Sequence, residues 1–121
     1  MDRRLIFKVL ATALARTATA NGSTVDLQAL LEPAKKEIAV ILQCGAMSGT
    51  LVTLNVHLES SPDASTWTDI PGAAFTEQGD VGEQTLWVKP PARYIREVHT
   101  LGGTSPNFTF AVIAAAIQLQ S

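Results

Sequence analysis

The sequence predicts an all-β protein, an antiparallel β-sandwich or jelly roll of about seven to eight strands with an extended N-terminal strand or arm. Residues 51–59, LVTLNVHLE, alternate between apolar and polar side chains, which is typical of a half-buried strand. Clusters of glycine, proline, serine and asparagine separate such runs about every ten residues. No window has the periodicity of a long helix, so strands and turns account for the chain.

The N-terminal run, residues 3–16, is predicted to form the first strand, although its alanine content leaves a helix as the alternative. Its two faces would carry Leu5, Phe7, Val9, Ala11, Ala13 and Ala15 on one side and Lys8, Thr12 and Arg16 on the other. The basic start and apolar middle resemble a secretory signal, but Lys8 and Arg16 interrupt that pattern. We therefore expect the segment to be retained.

The next part of the chain is predicted to contain two strands. Residues 21–27 turn and extend, and residues 27–36 could form a helical turn that a proline ends. Residues 37–47 are almost continuously apolar, as in a buried strand. Because the loop 48–50 is short, it should join this strand to residues 51–59 as an antiparallel hairpin.

The second half of the chain is predicted to contain the remaining strands. A short strand is centred on Trp67, residues 76–84 form an exposed loop, and residues 85–91 form a strand that two prolines end. Residues 92–101 and 107–120 are predicted to be separate strands. The intervening GGTSPN has glycines that can adopt positive φ and a proline with fixed φ, so it should reverse the chain.

These elements divide the chain into an N-terminal arm or strand, residues 1–20, and one β-sandwich domain, residues 21–121. The alternating positions predict which side chains form the core. The predicted core includes Val52, Leu54, Val56, Leu58, Ile95, Phe108 and Phe110.

Composition limits the kinds of partner. The 9 basic and 11 acidic residues give a net charge of −2, and the basic residues are scattered, so nucleic-acid binding is not expected. No uncharged apolar run is long enough to span a membrane. Charged residues make up 17% of the chain, against a typical value of about 25%, which suggests that partners cover part of the surface. The single cysteine, Cys44, lies in an apolar run and is expected to be a buried core residue.

The sequence does not predict an enzyme, and it predicts no cofactor and no metal site. No P-loop, dinucleotide or nucleophile-elbow motif is present. His57 should share a solvated face with Glu59, and His99 should form an exposed strand pair with Glu97. Three aspartates could bind Ca²⁺ but lack a regular ligand spacing, so turn-forming roles are favoured. These three, expected in loops, are Asp63, Asp69 and Asp80.

Three aromatic residues form a candidate binding surface. Trp67, Trp87 and Tyr94 could stack against a sugar if they are exposed together, whereas burial between sheets would make them packing residues.

Two longer segments resemble a group of small virion proteins of tailed bacteriophages. They are VHLESSPDASTWTDIPGAAFTEQGD, residues 56–80, and RYIREVHTLGGTSPNFTFAV, residues 93–112. The pattern combines an STWTDI core followed by GA and FT, an RY-[VI]-R element, and a GGTSP strand ending in FTF. Upstream, NGSTVDLQAL also looks like the opening segment of these proteins. The resemblance covers roughly residues 40–115.

Within this group the chain looks most like capsid decoration, or cement, proteins. The resemblance implies a non-catalytic protein on the exterior of the virion, assembled in the host cytoplasm, that binds the major capsid protein and copies of itself as a homotrimer. The alternatives are a carbohydrate- or receptor-binding module of a tail or fibre, and a tail or neck adaptor.

The resemblance starts only near Asn21, whereas the N-terminal run before it has an apolar face to bury. We therefore predict that residues 3–16 form an attachment or self-association element and not part of the core of their own subunit, with Leu5, Phe7, Val9 and Arg16 as candidate contacts. The alternative for this run is an ordinary first strand of the same sandwich.

Overall fold

The computed structural model describes residues 2–27, 37–89 and 91–120, and the secondary structure of this part of the chain is entirely β. Its strands form one antiparallel sheet, which confirms the predicted all-β class. The strands are β1 (Asp2–Arg16), β2 (Ala20–Asn21), β3 (Val25–Asp26), β4 (Ile38–Ser61), β5 (Thr68–Ala74), β6 (Gly82–Val88) and β7 (Tyr94–Gln120).

The two longest strands, β4 and β7, pair with each other from Ala39↔Ala115 to Ser61↔Tyr94. Each of the other strands pairs with one of these two. In what we call the upper half, β1 pairs with the C-terminal part of β7, and β6 pairs with the N-terminal part of β4. In the lower half, β2 and β3 pair with the N-terminal part of β7, and β5 pairs with the C-terminal part of β4. Both halves are therefore built on the same two central strands.

The two predicted chain reversals, at residues 48–50 and 102–107, are wrong, because β4 and β7 continue through them without reversing. Both segments instead lie opposite each other, with Ser48 paired to Asn107 and Thr50 to Thr104, and the register shifts there. Positive φ angles at Gly49, Leu51, Gly103 and Ser105 bend both strands at this level without reversing them.

The bend folds the sheet so that its two halves are in contact. The rings of His99, in the lower half, and Phe110, in the upper half, have centroids 5.2 Å apart. An extended strand would separate these two residues of β7 by roughly 36 Å. The backbone N–H of Ser23 also donates to the carbonyl of Leu10 on β1, at 2.8 Å. The sandwich or jelly-roll architecture itself stays a prediction.

The core lies between these two halves. All seven predicted core residues are buried, each with 5% or less of its surface exposed. Upper-half side chains such as Leu42 and Val112 join them.

The N-terminal strand is confirmed as a strand, but the prediction that one face carries all its odd-numbered residues is wrong. A register shift between Val9 and Ala11 inserts Leu10 as an extra residue. Leu10 and Ala11 are consequently both buried, whereas Phe7 and Val9 are exposed. The segment thus contributes to the core of its own subunit, so the prediction that it lies outside that core is wrong. The division into an arm, 1–20, and a domain, 21–121, remains a prediction.

The remaining predicted elements shift by a few residues. The strand expected around Trp67 begins at Thr68, and the strand expected at residues 85–91 spans Gly82–Val88. The helical turn expected at residues 27–36 lies, from residue 28 onward, outside the described residues.

Candidate functional site

The outward side of the upper half carries two rows of side chains that cross all four strands. In the first row, Phe7 of β1 pairs with Ala115 of β7, which pairs with Ala39 of β4, which pairs with Trp87 of β6. Residues directly opposite each other in an antiparallel pair point to the same face. All four side chains therefore lie side by side.

The second row lies two residues further along each strand. It contains Val9, Ile113, Ile41 and Thr85. We call the seven apolar side chains of the two rows the outer apolar face. They are Phe7, Val9, Ala39, Ile41, Trp87, Ile113 and Ala115.

This face is open to solvent along both edges. Phe7, Val9 and Trp87 are 57%, 47% and 67% exposed, and the other four side chains are half-buried. Taking roughly 200 Å² for an aromatic side chain, Phe7 and Trp87 alone expose about 250 Å². The whole face then falls in the range of about 300–600 Å² in which the largest patch of a monomer is often functional. Neither row contains a charged residue.

The predicted attachment residues divide between this face and contacts within the subunit itself. Phe7 and Val9 lie on the face, and the backbone of Leu5 pairs with Ile117 at its end. Arg16 instead bonds within its own subunit, donating to the carbonyls of Thr12, Leu14 and Phe110 at 2.7–3.0 Å. Its guanidinium also lies 4.5 Å from the centre of the Phe110 ring. Arg16 thus satisfies carbonyls where a second register shift disturbs β1.

The three aromatic candidates have different surroundings. Trp87 lies on the outer apolar face, Trp67 stacks under Arg96 at 4.3 Å, and Tyr94 contacts Arg93 at 5.0 Å. Within the described chain, no ring-to-ring contact joins any two of the three. Trp87 also lines a shallow groove of about 190 Å³ with residues 70–73 of β5 and Lys89.

A polar cluster lies on the outward side of the lower half. The shared face predicted for His57 and Glu59 is confirmed, and Asp69 joins them although it was expected in a loop. The imidazole Nε2 of His57 is 3.3 Å from Oδ1 of Asp69, and Arg96 Nε donates to Oε1 of Glu59 at 2.7 Å. One ligand atom from each of the three lies within 4.8 Å of the others. Sequence spacing hides this cluster because an irregularity in β5 brings Asp69 into place.

The prediction of an exposed pair at Glu97 and His99 is wrong. Their side chains are 0% and 3% exposed, and Nδ1 of His99 lies 2.9 and 3.0 Å from the two carboxylate oxygens of Glu97. Both residues alternate with Ile95 along β7, so all three face the core. The alternation with Ile95, a predicted core residue, is the signal in the sequence that would have identified their position.

Two further predictions are confirmed. Cys44 is buried, and this burial raises the pKa of its thiol. Asp63 caps a turn by accepting hydrogen bonds from the backbone N–H groups of Ser65 and Thr66, which lowers the pKa of its carboxyl. Asp80 likewise accepts a hydrogen bond from the N–H of Val81. Both are turn-forming roles of the predicted kind.

Comparison with known proteins gives no relatives: no family model, no curated protein and no solved structure matches the chain. Within the described residues there is also no helix long and apolar enough to cross a membrane.

Proposed function

We propose that this chain is a structural protein of a tailed-bacteriophage virion, a decoration protein that binds the outside of the capsid and stabilises it. The observation that carries the proposal is the outer apolar face. A face without charge that exposes two aromatic side chains costs free energy in water and gains it when another protein covers it. The motif resemblance supplies the kind of assembly, with the major capsid protein and copies of the chain as partners.

The size of the face supports an assembly of several contacts. A stable interface buries about 800 Å² on each partner, and the outer apolar face provides about half of that or more. The remaining area would come from neighbouring surface, including the N-terminal strand on which Phe7 and Val9 lie. Aromatic residues such as Trp87 are the usual energetic centres of such contacts.

The order of side-chain sizes across the first row supports the trimer that the resemblance implies. Large side chains, Phe7 and Trp87, stand at the two edges, and the small Ala39 and Ala115 lie between them. Four strands about 4.8 Å apart make a sheet roughly 14–19 Å wide. If three such sheets formed the sides of a triangular prism, each sheet would lie about 4–5.5 Å from the threefold axis. That distance matches half of the ~10 Å that separates two packed sheets.

In that arrangement the middle of each sheet is nearest the axis and the edges meet at the corners. In the first row, Ala39 and Ala115 would lie nearest the axis, and Trp87 of one copy would meet Phe7 of the next at a corner. In the second row, Ile41 and Ile113 would lie nearest the axis and pack against their counterparts there. The trimer proposal therefore rests on the resemblance and on the size order of the first row alone.

The test uses capsids of the phage that encodes the chain, purified without this protein. Wild-type protein should co-sediment with the shells at hundreds of copies per particle and should sediment as a trimer on its own. The double variant Phe7→Ser/Trp87→Ser should lose both properties. Leu51→Ser is the matched control, because Leu51 is 90% exposed but lies at the bend and outside the face. Retention of shell binding by the face variant would contradict the proposal.

A second candidate function, a carbohydrate-binding module of a tail or fibre, is favoured by the exposed Trp87 beside its groove. A glycan array separates capsid decoration from carbohydrate binding. Sugar binding would be lost in Trp87→Ser and kept in Phe7→Ser, since Trp87 lines the groove and Phe7 does not. A dozen or fewer copies per particle would instead indicate a tail or neck adaptor.

A further inference from the structure

We propose that His57, Glu59 and Asp69 bind a divalent transition-metal ion such as Zn²⁺, and that the ion fastens β5 to β4. This site lies on the lower half, and its existence does not depend on the function proposed above. Imidazole nitrogen and carboxylate oxygen are both ligands of Zn²⁺, at about 2.0–2.2 Å. Mg²⁺ and Ca²⁺ prefer all-oxygen sites, so the histidine selects against them.

The spacing of the ligand atoms fits such an ion. Two ligands of a tetrahedral Zn²⁺ with bonds of about 2.1 Å are about 3.4 Å apart. Nε2 of His57 and Oδ1 of Asp69 are 3.3 Å apart, so this pair already has the required separation. The third ligand atom lies within 4.8 Å of both, and a turn of the Glu59 carboxylate that keeps its Oε1 contact with Arg96 would bring the other oxygen closer.

The surroundings of Glu59 hold its carboxylate in position. Arg96 bonds to Oε1, which makes Oε2 the oxygen available to a cation. The guanidinium of Arg96 is itself fixed over the ring of Trp67. Hydrogen-bonded partners of this kind orient the carboxylate ligands of metal sites.

The backbone pairing places two carboxylates directly opposite each other. Glu59 and Asp69 are cross-strand partners, an arrangement in which like charges repel. His57 pairs with Ala74 and Glu59 pairs with Asp69. Residues 70–73 of β5 therefore form an extra stretch opposite the single residue Leu58. This excursion leaves β5 with only a short ladder to β4. A bound cation would offset the repulsion and add a cross-link where the ladder is weakest.

The experiment uses the full chain, freed of metal with EDTA and titrated with ZnCl₂ in a calorimeter. We expect one Zn²⁺ per chain and a rise in Tm that Mg²⁺ does not produce. Co²⁺ bound in the four-coordinate geometry expected for Zn²⁺ should give a visible absorption band much more intense than that of free aqueous Co²⁺. His57→Gln and Asp69→Asn should weaken Zn²⁺ binding at least about tenfold, since each removes a direct ligand.

Both variants should fold, because the two side chains are 34% and 73% exposed and each replacement keeps a hydrogen-bonding group. Asp80→Asn is the matched control, since it removes the same charge from an exposed aspartate outside the cluster. It should leave the affinity unchanged. Absence of Zn²⁺ binding would overturn the proposal. Binding that is equally tight in His57→Gln would also overturn it, by placing the ion elsewhere on the chain.

Discussion

Replacing His99 by phenylalanine should destabilise the protein strongly, because it leaves the Glu97 carboxylate in the core without its partner. Both carboxylate oxygens of Glu97 contact Nδ1 of His99 at 2.9 and 3.0 Å, and neither side chain is more than 3% exposed. Removing one member of a buried pair costs about 3–5 kcal/mol. At about 1.4 kcal/mol for each factor of ten, the equilibrium between folded and unfolded protein should shift by a factor of roughly 10² to 4 × 10³.

The reciprocal change should cost less, and the double change less still. Glu97→Leu leaves an imidazole N–H without an acceptor, a loss of about 1–3 kcal/mol. Replacing both residues, as Glu97→Leu/His99→Phe, removes the polar pair and fills its space with apolar groups. Such replacements are often neutral or stabilising. The two single substitutions should therefore be far from additive.

The measurement is equilibrium urea unfolding of the wild type, both single variants and the double variant, followed by tryptophan fluorescence. The Asp26–Arg93 pair is the control, because its side chains are 44% and 45% exposed and water screens the interaction, so its two single substitutions should be close to additive. If the costs of the two core substitutions simply add, the buried pair does not act as a unit and the reasoning fails.

Three further predictions concern the bend, the cysteine and a turn. Gly103→Ala should lower the free energy of unfolding, measured in urea, by about 1–3 kcal/mol, because φ at Gly103 is +97° and a Cβ would lie 2.5 Å from the Leu51 carbonyl oxygen. Gly45→Ala is the control and should be near neutral, because a Cβ there would lie in open space. Cys44 should react with iodoacetamide much more slowly in the folded than in the unfolded protein, because burial raises the pKa of its thiol; equal rates would contradict this. Because the pKa of Asp63 is lowered in the folded protein, its carboxylate stabilises the fold above the ordinary pKa of 3.8, and this stabilisation is lost as the pH falls through the folded-state pKa. Asp63→Ala should therefore reduce the difference in Tm between neutral and acid pH.

The sequence predicted the core well because side chains alternate strictly along a strand. Once residues 51–59 are a strand with Leu54 inside, the burial of its alternate neighbours follows. The same rule applied to Ile95 would have placed Glu97 and His99 in the core. Their polarity led to the opposite prediction. Their burial is tolerated because the two side chains bond to each other, and the sequence alone does not show that contact.

The bend could not be distinguished from a hairpin by local signals. Gly49 and Gly103 have the positive φ that a tight turn also requires. Only the partners of the flanking residues decide between the two, and here both flanks of residues 48–50 pair with β7. Those partners lie far away in the sequence, so single-sequence patterns do not identify them.

The candidate sites were predicted in part for the same reason. Phe7, Val9 and Trp87 were identified individually, but the face they form depends on the register of four strands. The polar cluster depends on the irregular stretch of β5 that brings Asp69 to His57. Register and bulges arise from tertiary packing, and neither follows from the periodicity of one segment.

The last strand of this chain, β7, occupies the middle of the sheet, between β1 and β4. A ribosome therefore synthesises β1 and β4 long before the strand that separates them exists. Until β7 emerges, β1 lacks its sheet partner and β4 can pair only with β5 and β6, so the exposed strand edges can pair wrongly with one another. Completion of the sheet must wait until β7 has been synthesised, and it then joins segments that are distant in the sequence, which makes folding slow relative to helical proteins. Production of the protein should consequently benefit from slow growth at low temperature and from chaperones that hold unfinished strands apart.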